Sequence, residues 1–424
     1  MWQFGMKDAN FRRKVMIPMK KFLALILALV MSLSLIACGD EPAAEDAEKP
    51  DAPTEDAEET TDAEFSVAMI TDYGDITDQS FNQTTYEACK AYCEANDVEF
   101  KYYKPSDNNT AARVASVEQA IDEDFNVIVM PGFAFAGTIY ETQDEYEDVK
   151  FIALDVSQFD VEDQFYNHDD KNNRLDLIDP ENEPHLCDNV YCCVYQEELC
   201  GYMAGYAAVK LGYKHLGFLG GMAVPAVVRY GYGFVQGADA AAAAMDLKDV
   251  TVEYVYGNQF NGDADITAYM DNWYQNMGVE IVFAAGGGIF TSAAEAAGKV
   301  DGKLIGVDVD QAAIIDGAYG EGMTVTSAMK GLTPTVDHML SEVAAGNFAN
   351  YGGKYDNLGL ISGDDPEANY VQIPMATTQF GDGFTKDDYK ALVKDMFDGT
   401  IKVNNDITAM PEHTITVNEL GNIK

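Results

Sequence analysis

Residues 65–95, FSVAMITDYGDITDQSFNQTTYEACKAYCEA, decide the fold. Phe65 to Ile70 is a run of strand length, apolar but for Ser66, that stops at Thr71-Asp72, just before the turn residue Gly74. Ser80 to Ala95 then places Phe81, Tyr86, Cys89 and Tyr92 at helical spacing. A strand without polar alternation needs both faces covered, the condition of a parallel sheet flanked by helices. Working outward, strands are expected over 100–102, 127–130 and 151–155, with a helix over 112–121. The second half repeats the pattern, with helices over 201–211, 229–244 and 266–277. Its strands fall over 216–219, 251–256, 280–284, 304–308 and 324–327. Such alternation predicts an α/β chain with two doubly wound parallel-sheet lobes around a ligand cleft.

Asp72, Gly132, Asp155, Gly221, Phe283 and Asp308 all fall at strand ends. Open α/β sheets bind ligands outside the carboxyl ends of their strands, so this recurrence points to a site. The competing role for each strand-end Asp is N-capping of the following helix. Residues 160–190 interrupt the pattern with Asp and Asn and read as a long surface loop. His168, Asp169, Asp170 and His185 would be its metal ligands, but solvated charge is the commoner fate of such a run. No metal site and no cofactor is expected.

The 424 residues carry 27 Lys+Arg against 71 Asp+Glu, a formal net charge of −44. That field repels phosphate backbones and excludes nucleic-acid binding through a basic face. It also disfavours a strongly anionic ligand unless a local cation sits in the site. The 47% hydrophobic content excludes wholesale disorder. No Gly-x-Ser-x-Gly elbow, Walker A loop or His-Glu-x-x-His occurs, which speaks against the commonest catalytic machineries. A nucleoside hydrolase would cluster aspartates for calcium, and the spacing of Asp72, Asp75 and Asp78 is a weak version of that. Among the seven cysteines, Cys187 with Cys192 or Cys193 could close a small loop, and free buried thiols are an equal alternative.

The N-terminal stretch reads as an address. Met19-Lys20-Lys21 is a basic start, and the apolar run Phe22 to Ile36 is too short for a span of roughly 20 residues. Residues before Met19 read as an upstream start. Leu35-Ile36-Ala37-Cys38 resembles a bacterial lipobox, in which the Cys38 thiol is diacylated after cleavage. Residues 1–38 are therefore expected to be a signal peptide with lipobox, and 39–64 a disordered acidic linker. Lobe 1 is expected over 65–192 with a return segment near 320–345. Lobe 2 is expected over 193–319 with the C-terminal segment 346–424.

Ala68 to Gly74, leading to Asp78-Gln79-Ser80-Phe81-Asn82-Gln83, resembles the opening motif of the basic membrane protein family. These are purine nucleoside receptor lipoproteins, the solute-binding subunits of ABC transporters. Residues 201–208, 217–222, 233–237, 282–287, 305–311 and 326–330 follow as supporting blocks in the family's order. The resemblance implies a type I periplasmic-binding-protein-like fold on the membrane's extracytoplasmic face. It implies as partners a purine nucleoside (guanosine, inosine or adenosine), the transporter's permease and ATPase, and the membrane itself through the lipid anchor. A sugar or other small polar solute is the alternative ligand.

The resemblance further implies a base sandwiched between Phe81 and Phe283, one ring from each lobe, with stacking contributing roughly 1–3 kcal/mol per base. Ordinary core packing is the competing reading of both rings. Asp72 and Asn82 would read the base edge or ribose, and Asp155 and Asp308 would accept from ribose hydroxyls. Lys330 would be the cleft cation. Ser80, Gly132 and Gly286 complete the expected ligand-binding set.

Overall fold

The computed structural model describes residues 65–167 and 183–423. The signal segment with Cys38, the linker 39–64, and His168, Asp169 and Asp170 lie outside the described residues. No described helix is long and apolar enough to cross a membrane.

Two sheets organise the chain. The first contains β1 (Val67–Ile70), β2 (Phe100–Tyr103), β3 (Val127–Pro131), β4 (Lys150–Leu154) and β5 (Val190–Tyr195). A later strand, β11 (Lys354–Leu358), completes it in the order β11-β5-β4-β3-β1-β2, and all its pairings are parallel. The second contains β6 (His215–Gly220), β7 (Thr251–Tyr256), β8 (Ile281–Ala285), β9 (Lys303–Asp308) and β10 (Thr324–Lys330). With β12 (Val371–Gln372) and β13 (Thr416–Asn422) its order is β12-β10-β9-β8-β6-β7-β13, and β12 alone runs antiparallel. Val67, Met69 and Ile70 have no exposed surface. Burying such side chains contributes roughly 1.5–3 kcal/mol each, which is why this run forms a central strand.

The helix Phe81–Asn96 starts where it does because Asp78 caps it. The Asp78 carboxylate accepts from the backbone N–H groups of Ser80 (2.9 Å), Asn82 (2.9 Å) and Gln83 (3.0 Å). It thereby satisfies donors that a helix start leaves orphaned. In the second lobe the helices Glu197–Lys210 and Pro225–Ala244 approach closely through four glycines. A Cβ on Gly201 would lie 2.3 Å from the Tyr230 carbonyl oxygen, and one on Gly205 2.1 Å from that of Phe234. Reciprocally, Gly233 and Gly237 would strike the carbonyl oxygens of Glu198 and Tyr202. The small-residue motifs therefore serve backbone contact, and that contact positions Glu197 against Arg229.

Three expectations need correction. Residues 160–190 are not wholly loop: Gln158–Asn167 is a helix and Val190–Tyr195 is a strand. The lobe division at 192/193 falls inside β5. The return to the first lobe comes after β10, because β10 pairs with β9 from Thr324 to Met329. The helix Leu332–Ala344 then packs on Phe81–Asn96, and β11 pairs with β5. The C-terminal segment thus rejoins the second sheet only at β12.

Candidate functional site

A cleft of about 300 Å³ opens between the carboxyl ends of the two sheets. Of the expected residues, Asp72, Phe81, Asn82, Gly132, Asp155, Gly286, Asp308 and Lys330 line it. Ser80 and Phe283 do not.

Phe283 is fully buried inside β8 and packs among Phe218 (5.6 Å between ring centroids), Tyr230 (5.8 Å) and Phe234 (5.4 Å). It is a core ring. The strand runs on to Ala285, so the cleft wall begins two residues after Phe283. Ser80 is also fully buried, and its hydroxyl donates to Asp308 Oδ2 across the lobes at 2.6 Å. Gln311 Nε2 donates to the Gln79 carbonyl at 3.0 Å beside it. Ser80 therefore ties the lobes together rather than facing the cavity.

Strand ends place the polar groups. Asp155 and Asp308 have positive φ values of 58° and 65°, a left-handed conformation that aspartate tolerates better than most residues. Such backbone strain clusters at functional sites. Neither residue caps a helix; after β1 that task falls to Asp78 rather than Asp72. Asp72 Oδ1 accepts from the N–H groups of Tyr73 (2.6 Å) and Gly74 (2.7 Å). A Cβ at position 132, where φ is +123°, would lie 2.7 Å from Asp72 Oδ2, so only glycine fits beside that carboxylate.

Lys330, at the end of β10, is 6% exposed and joins the lobes electrostatically. Its ammonium contacts Asp155 Oδ2 directly and lies 3.6 Å from both Asp308 Oδ1 and Glu197 Oε1. It also sits 4.5 Å from the centroid of the Phe81 ring, within cation–π range. Burial opposes its charge, yet Asp155, Asp308 and Glu197 hold its pKa above the ordinary lysine value. Burial pushes the Asp155 carboxyl up to about 6, with Lys330 pulling it back. Burial likewise raises Asp72 against its backbone donors.

Sequence reasoning missed Arg229, Tyr73 and Phe260, all of which line the cleft. Arg229 Nε donates to the fully buried Glu197 Oε2 at 2.6 Å. Tyr73 and Phe260 bring one ring from each lobe to a centroid distance of 6.0 Å. A lone aromatic in the polar stretch Asn258-Gln259-Phe260-Asn261 was the available signal. Asp72, Asp75 and Asp78 do not form a calcium cluster. Asp75 pairs with Lys104 at 2.6 Å, and the other two accept from local backbone N–H groups.

Two sheets of this order around an acidic, partly aromatic cleft define a bilobal solute-binding protein. A family model described as ABC transporter substrate-binding protein PnrA-like matches residues 65–366, and the chain belongs to that family. A CD4+ T-cell-stimulating antigen of Listeria innocua is 25% identical over 370 residues, 82% of this chain and 92% of its own length. The ABC transporter nucleoside-binding protein BmpA of Lactococcus lactis is 21% identical over 261 residues, 58% of this chain and 65% of that protein. Among solved structures, an ABC transporter solute-binding protein from Conexibacter woesei matches with a TM-score of 0.57 and 20% identity. That match covers 80% of this chain and 99% of the other, and it supports the fold.

Proposed function

We propose that the protein captures a purine nucleoside from outside the cell and presents it to the permease of an ABC importer. The observation that carries this reading is a pair of buried acceptors without donors. Asp155 Oδ1 and Asn82 Oδ1 have no hydrogen-bond partner, and both residues line the cleft. Leaving such a group unpaired costs about 1–3 kcal/mol, so a ligand rich in hydroxyl and N–H donors is favoured there. Phe81 from the first lobe and Phe260 from the second supply apolar faces for a base, with Phe260 replacing Phe283 in the sandwich. Six lining carboxylates (Asp72, Asp75, Asp78, Asp155, Asp160 and Asp308) face two cations, Arg229 and Lys330, both already ion-paired. That balance disfavours a phosphorylated ligand. The name of the Lactococcus relative supports the same class.

Guanosine, inosine or adenosine should raise the melting temperature, while AMP, free ribose and hexoses change it little. At a hundredfold excess over Kd the stabilisation is about 2.7 kcal/mol. A large shift with AMP or a hexose and none with the nucleosides would reject the ligand class.

The Leu35-Ile36-Ala37-Cys38 motif supports lipid anchoring at Cys38. Cys38→Ser should then release the protein to the medium or leave it unprocessed in a membrane fractionation. Unchanged processing and fractionation would reject the anchor.

A further inference from the structure

We propose that Asp144, His185 and Cys187 hold a zinc ion at the end of the first sheet remote from the cleft. Asp144 Oδ1 lies 3.2 Å from His185 Nε2 and 3.3 Å from Cys187 Sγ. One donor atom from each residue falls within 4.8 Å of the others. Zinc bonds of about 2.0–2.3 Å in a tetrahedron place ligand atoms about 3.3–3.6 Å apart, the longer edges being those to sulfur. Two of the three edges come within about 0.3 Å of those lengths, and the third, at most 4.8 Å, closes with a small side-chain movement. Imidazole, thiolate and carboxylate together suit a borderline-soft ion, whereas calcium and magnesium take oxygen ligands.

The surroundings fix these donors. His185 Nδ1 faces the Glu183 carbonyl oxygen at 2.9 Å, and donation there leaves the Nε2 lone pair aimed at the other two ligands. Gln143 is fully buried and holds the ligand segment from both sides: its Oε1 accepts from Cys187 N–H at 3.0 Å, and its Nε2 donates to the His185 carbonyl at 3.2 Å. The Phe165 ring packs 5.1 Å from the His185 ring. Asp144 precedes β4 and Cys187 precedes β5, so the site sits at the amino ends of strands whose carboxyl ends face the cleft. None of the three residues lines the cleft. The other five described cysteines are buried free thiols, which leaves Cys187 as the accessible one among the described residues.

Binding is a ligand exchange without redox change. The Cys187 thiol gives its proton to solvent, its sulfur bonds the metal, and His185 binds as the neutral ring. Three protein ligands leave a fourth position for water.

The test uses the full chain, reduced and stripped with chelator, titrated calorimetrically with zinc in a calcium and magnesium background that occupies surface carboxylates. One equivalent of zinc is expected. Cobalt, as a visible stand-in, should give a thiolate-to-metal charge-transfer band that disappears in Cys187→Ser. His185→Gln and Asp144→Asn should weaken zinc at least about tenfold, since even outer-shell losses cost that much. Guanosine-induced melting shifts should be unchanged in all three variants, which separates this site from the cleft. Circular dichroism confirms that each variant is folded; all three side chains are partly exposed. Zinc binding no tighter than calcium, or a charge-transfer band that survives in Cys187→Ser, would overturn the proposal.

Discussion

Lys330→Met should destabilise the protein by about 3–5 kcal/mol near pH 8, the cost of removing one partner from a buried ion pair. The substitution keeps the length of the stem and removes the ammonium that faces Asp155, Glu197 and Asp308. Arg229 still neutralises Glu197, so Asp155 bears most of the loss. With lysine present its carboxyl already titrates at about 6, above the usual 3.8, because burial outweighs the attraction. Without lysine that pKa rises further. A group that binds its proton more tightly when folded gives the native state more bound protons between the two pKa values, so stability falls as pH rises through that window. The deficit of the variant relative to wild type should therefore be largest near pH 8 and shrink as pH falls towards 5. Adding Asp155→Asn should restore part of the loss near pH 8, and denaturant unfolding at both pH values measures it. A variant as stable as wild type near pH 8 would mean that the pair carries no net stabilisation.

The same residues show what a sequence can and cannot disclose. Asp72, Asp155 and Asp308 were legible because a buried parallel strand is an unbroken apolar run, and the first carboxylate after it marks the carboxyl end. Direction within such a run is not legible. In Ile281–Ala285 every residue is buried, so no alternation tells which face Phe283 occupies, and it turns to the helices rather than the cleft. Ser80 belongs to the expected ligand-binding set by its place in the motif, yet its hydroxyl is taken by Asp308, 228 positions away. β5 is hard to read because it follows the Asp- and Asn-rich run directly; Cys192 and Cys193 are fully buried free thiols within it, one of the two alternatives that the cysteine spacing left open. Where the chain crosses between sheets depends on pairing partners, and β10 and β11 differ in partner while both are of strand length. Local pattern specifies elements; long-range pairing decides their lobe.

Phe283→Ala and Phe260→Ala should separate stability from binding. Phe283 packs against three rings in the second lobe, Phe218 on β6 and Tyr230 and Phe234 on the helix Pro225–Ala244, and its removal leaves a cavity that those rings cannot fill without moving the strand or the helix that carries them. Core Phe→Ala changes cost about 3–5 kcal/mol of stability, and this one should fall in that range. Phe260 is half-buried on a cleft loop and meets Tyr73 across the lobes, so its truncation should leave the melting temperature nearly unchanged without ligand. Its cost should appear in affinity instead: roughly 1–3 kcal/mol of lost stacking, about tenfold to a hundredfold in Kd for guanosine. Phe81→Ala should behave like Phe260→Ala with one difference. Phe81 also lies under the Lys330 ammonium, so its loss removes a cation–π contact that exists without ligand. A small stability loss should therefore accompany the affinity loss at position 81 and be absent at 260. If the two rings clasp one base, the double variant should lose less than the sum of the single losses, because each ring binds through the same partner. Calorimetric titration beside thermal melts of all four variants measures both quantities. Wild-type guanosine affinity in Phe260→Ala would remove that ring from the site, and an undisturbed melting temperature in Phe283→Ala would contradict its place in the core.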